Sequence, residues 1–140
     1  MTLNSLPPSL RWLLVLPTSV IAALLASVAV WLFYQILVFV WEFMGSSIPA
    51  RYQTDPDDAF NFYAYRGLAG AAMAYAFVFS GVEMSPSAKR VVAIVLAVLV
   101  VGVCIVSLAS SISNEVWHQV VYAGGGIVGG IVCARLISEE

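Results

Sequence analysis

Five polar residues able to bind an ion or move a proton gather towards one end of an otherwise apolar chain: Gln35, Glu42, Arg66, Glu115 and His118. Gln35 and Glu42 stand seven apart, so a helix places them on one face. Arg66 follows a cluster of aromatics, and Glu115, His118 and Gln119 open the last apolar segment. Ionisable groups inside a membrane span are costly and often functional. One reading pairs Arg66 with Glu42 or Glu115 and leaves His118 accepting protons at the mouth of a path. The simpler reading is interfacial: Arg66 snorkels to the headgroups, and Glu42 and Glu115 sit in water.

Metal chemistry has one thread. Glu115-Val116-Trp117-His118 has the Glu-x-x-His spacing that carboxylate-bridged metal bundles use twice. One chain carries one copy, so two chains with two Glu42 residues are needed to complete such a set. The single histidine also excludes a bis-histidine haem within one chain. No G-x-S-x-G elbow, H-E-x-x-H pair or phosphate-binding glycine loop followed by lysine occurs. The sequence therefore predicts no enzyme, no metal and no cofactor.

The elements that position these residues are membrane spans. Of the 140 residues 61% are hydrophobic and 10% charged, against about 45–50% and about 25% in soluble domains. The apolar residues fall in long blocks, four of them near the ~20 residues that span a bilayer. The expected spans are 17–43, 63–82, 91–109 and 116–137, with an outer loop at 45–61, all in one transmembrane domain. An amphipathic lead-in precedes Pro17, which either begins the first span or kinks a longer helix. "SVA" at Ser27 to Ala29 loosely resembles a signal-cleavage site, but the apolar run continues past it and suits an uncleaved anchor.

Helix-start signals sit before the later spans. Asp55-Pro56-Asp57-Asp58 offers a cap, a first-turn proline and negative charge for the second. Ser85-Pro86 and Asn114-Glu115 are the expected starts of the third and fourth. Short connections make consecutive spans antiparallel neighbours in a four-helix bundle. Arg11, Lys89, Arg90 and Arg135 fall on one side of this arrangement, and Arg51 and Arg66 on the other. The positive-inside rule then puts both termini in the cytoplasm, in a bacterial-type inner membrane. Trp41, Phe43, Phe60, Phe62, Tyr63, Tyr65 and Trp117 form an interfacial belt, and Trp31 lies deeper, packed on a neighbour.

The fourth span holds the densest signal, "YAGGGIVGG" from Tyr122 to Gly130. In water each interior glycine costs a helix roughly 1 kcal/mol relative to alanine. In a membrane, where lipid is as apolar as leucine, small residues let helices meet closely. Gly125 and Gly129, with Gly126 and Gly130 beside them, form overlapping G-x-x-x-G pairs. The second span offers a complementary stripe of Arg66, Gly70, Ala74 and Gly81, with Gly67 and Ala71 beside it. The two stripes either cross within one chain, or face another chain and set an oligomer, or line a path.

Cys104 and Cys133 are offset by well over ~10 Å along antiparallel spans at ~1.5 Å per residue, too far for a disulfide. Glu83 is placed to pair with Lys89 or Arg90 across a tight turn. The net charge of −2 and the lack of a basic cluster exclude nucleic acid as a partner. The partners expected are the lipid bilayer and either further copies or other membrane subunits. Three functions fit: an accessory or scaffold subunit of a membrane complex, a homo-oligomeric channel, small transporter or holin-like pore, and an immunity or defence protein whose outer loop meets an intruder.

Overall fold

The computed structural model describes residues 7–45 and 59–139, and every regular element among them is an α-helix. The helices are α1 (Pro8–Gly45), α2 (Ala59–Met84), α3 (Lys89–Ser113) and α4 (Trp117–Glu139). All four are long and apolar enough to cross a bilayer. The fold is that of an integral membrane protein built as a helix bundle.

α1 starts earlier than the sequence suggests. Pro8 occupies the first helical position, where a missing N–H is no loss. The amides of Leu10 and Arg11 reach back to the Pro7 carbonyl at 3.0 and 3.1 Å. The helix then continues through Pro17 for 38 residues, about 57 Å at ~1.5 Å per residue. Pro17 removes one backbone donor but does not end the helix, as happens where neighbouring groups satisfy the freed carbonyl region. Close by, the fully buried Ser19 donates its hydroxyl to the Val15 carbonyl at 2.8 Å.

Two of the expected helix starts are built differently. Ser85-Pro86 does not cap α3: its N-cap is Ala88, with φ 55° and no side-chain cap bond. Ser85 instead donates its hydroxyl to the Ser87 carbonyl within the turn. Asn114-Glu115 does not open α4; it closes α3. Asn114 is the C-cap, and its side-chain amide donates to the Ser110 carbonyl at 2.8 Å. Glu115 follows in the left-handed region at φ 58°. The Glu115 amide bonds the Ile112 carbonyl, and the Val116 amide bonds that of Ser111. That is the Schellman pattern, with glutamate where glycine is usual. The Asp55–Asp58 signal lies outside the described residues; α2 begins directly after it.

α2 is the central element. It packs against α1, α4 and α3, and α4 packs on α3 as well. Its best membrane window has the lowest mean hydropathy of the four, 1.3 against 3.3 for α3, and the largest buried share, 39%. A helix covered by its neighbours needs less lipid-like surface.

The core gathers near the α2–α3 turn, where α1, α2 and α3 are joined by the C-terminal half of α4. Val15, Val78, Val82, Ala93, Leu96 and Cys133 are buried there. At this place a Cβ on Gly81 would run into Leu96 and the Ser19 hydroxyl, so glycine is what lets three helices converge. Close packing supplies the attraction, because burying apolar surface from lipid gains little.

Beside this core, Arg11 spans the end of α2. Its Nε donates to the Met84 carbonyl at 3.2 Å, and Nη2 reaches the carbonyls of Ser85 and Glu83 at 3.3 and 3.4 Å. These are carbonyls a helix end leaves unsatisfied, at its negative pole. Lys89 pairs with Glu83 at 3.4 Å across the same turn.

Candidate functional site

The glycines of α4 divide between two neighbours. Gly125 and Gly129 meet α2: a Cβ on Gly125 would overlap the Gly67 carbonyl, and one on Gly129 the Ala71 carbonyl. From the α2 side, a Cβ on Gly70 would overlap the Tyr122 carbonyl, and one on Gly67 would lie 3.3 Å from the Val121 side chain. Gly126 and Gly130 turn to α3: their Cβ positions lie 2.6 Å from the Cys104 sulfur and 2.8 Å from Val100 Cγ1. None of these glycines has a positive φ. Close approach on two sides, rather than unusual backbone, is what asks for them. Ala74 completes the α2 face, 1% exposed. Gly124 has open space at its Cβ position.

A polar knot sits beside this contact. The Tyr122 hydroxyl donates to the Met73 sulfur at 3.0 Å, joining α4 to α2. Ser27 of α1 also interacts with that hydroxyl, and Arg66, Tyr65 and Cys104 lie within electrostatic range. Tyr65 stacks on Tyr34 of α1, with ring centroids 4.5 Å apart and planes 26° apart. The Arg66 guanidinium carbon lies 5.8 Å from the Tyr65 ring centroid. Arg66 is thus held half-buried among tyrosines at the inner corner of α1, α2 and α4. Tyr34, Met73 and Ser27 have no part in the polar set read from the sequence. Their only signal is that a tyrosine deep in a membrane span needs a hydrogen-bond partner.

The remaining polar residues are spread out. Gln35 is exposed on α1, and Glu115 is exposed in the α3–α4 turn. His118, the second residue of α4, is half-buried. The Glu42 side chain lies outside the described residues, and with it the Arg66–Glu42 pairing. Since Glu115 belongs to the turn, the Glu-x-x-His tetrapeptide is not two consecutive helical turns presenting both side chains to one metal. Among the described residues no three His, Cys, Asp or Glu side chains stand close enough to hold a metal ion. Gln119 accepts from the Ser111 hydroxyl at 3.1 Å, tying α4 to α3 above the turn. Trp31 is 48% exposed instead of packed on a neighbour. Cys104 and Cys133 are both free thiols.

On the other side of the α2–α4 contact lies an apolar groove of about 480 Å³. Gly67, Leu68 and Ala71 of α2 and Val121, Gly125 and Val128 of α4 line it.

No family model, curated protein or solved structure matches this chain. Function therefore rests on the geometry alone.

Proposed function

We propose that this chain is a non-catalytic accessory or scaffold subunit of a membrane complex. It forms a four-span antiparallel bundle with both termini on the cytoplasmic side of a bacterial-type inner membrane. The contact register supports the directions. Arg11 meets Met84 at one end of α1, and Tyr34 meets Tyr65 towards the other, so contact numbers run oppositely along α1 and α2. They do so again for α3 and α4, through Val100 with Gly130 and Ser111 with Gln119. Along α2 and α4 they rise together, from Gly67 with Gly125 to Ala71 with Gly129. Arg11, Lys89 and Arg90 then share the end of the bundle that the positive-inside rule assigns to the cytoplasm.

The observation that carries the functional reading is the filling of the glycine stripe. Backbone of α2 occupies one glycine row of α4, and side chains of α3 occupy the other. A path along that stripe has no room within one chain. What the protein offers instead is an apolar perimeter fixed by a tightly crossed core, which suits holding other membrane segments in place.

Reconstitution into liposomes tests this. A scaffold gives no ion or solute flux above empty vesicles. Flux that is lost in Glu42→Gln, Arg66→Gln or His118→Ala, with the protein still inserted and folded, would replace this reading with the channel or carrier.

A further inference from the structure

We draw no further inference here: the strongest candidate, the exposed strip of α2 that carries Leu68, Tyr75 and Phe79 beside the α2–α4 groove, is an unpartnered apolar face, and nothing in the structure shows what covers it.

Discussion

The Gly67 carbonyl lies against the α-carbon of Gly125, closely enough that a Cβ on Gly125 would occupy the same space. Neither residue makes a hydrogen bond there; the relationship is steric. It fixes how far α2 and α4 can approach, and α2 carries α1 on another face.

Gly125→Ala and Gly129→Ala force backbone apart and destabilise the bundle by about 1–3 kcal/mol, the usual scale of overpacking. Gly124→Ala meets open space and gains helix propensity, up to about 1 kcal/mol in its favour. Thermal unfolding of the detergent-solubilised chain should move the midpoint down for the first two and level or up for the third. The same direction at all three positions would contradict the packing described.

Both turns flanking α3 hold a non-glycine residue in the left-handed region, Ala88 at φ 55° and Glu115 at φ 58°. Ala88→Gly and Glu115→Gly each relieve backbone crowding worth about 1 kcal/mol. The midpoint should rise in both. A fall in Glu115→Gly would mean that the carboxylate does something the turn does not need.

Much of this was legible in the chain. Long apolar blocks and scarce charge make four spans unavoidable, and the small residues of the second and fourth spans point at each other because both repeat at helical spacing. The turn chemistry was not legible. Asn114 and Glu115 have the types of a helix start, yet asparagine serves equally at a C-cap, and only the backbone tells which helix it closes. The Tyr122–Met73 bond depends on the relative depth of two helices, which no local pattern encodes. The length of α1 was obscured by Pro17, a helix breaker in water that membrane helices accept.

Arg11→Ala leaves the carbonyls of Met84 and Ser85 without their guanidinium donor. Charge-assisted hydrogen bonds of this kind contribute about 1.5–3 kcal/mol when protected. The half-buried setting here puts the expected loss at the lower end, about 1.5–2 kcal/mol. Arg11→Lys should recover part of it, since an ammonium reaches one carbonyl but cannot fork across three. Denaturant unfolding in mixed micelles reads both variants, and an unchanged midpoint in Arg11→Ala would remove the clamp from the account.

Tyr122→Phe deletes the hydroxyl that reaches Met73 while keeping the ring. Interhelical hydrogen bonds in membranes average about 0.6 kcal/mol, so the expected shift is small and downward. Met73→Leu should give a similar loss, and the double variant should lose less than the sum of the two. Strict additivity would show that the two groups are neighbours without being bonded.

Native mass spectrometry of the tagged chain, taken from its own host membrane in mild detergent, tests the central claim most directly. A scaffold subunit is predicted to leave the membrane with companion chains of other sequence in fixed proportion. A complex containing only copies of this chain would contradict the scaffold reading and return the function to a pore or carrier built between copies.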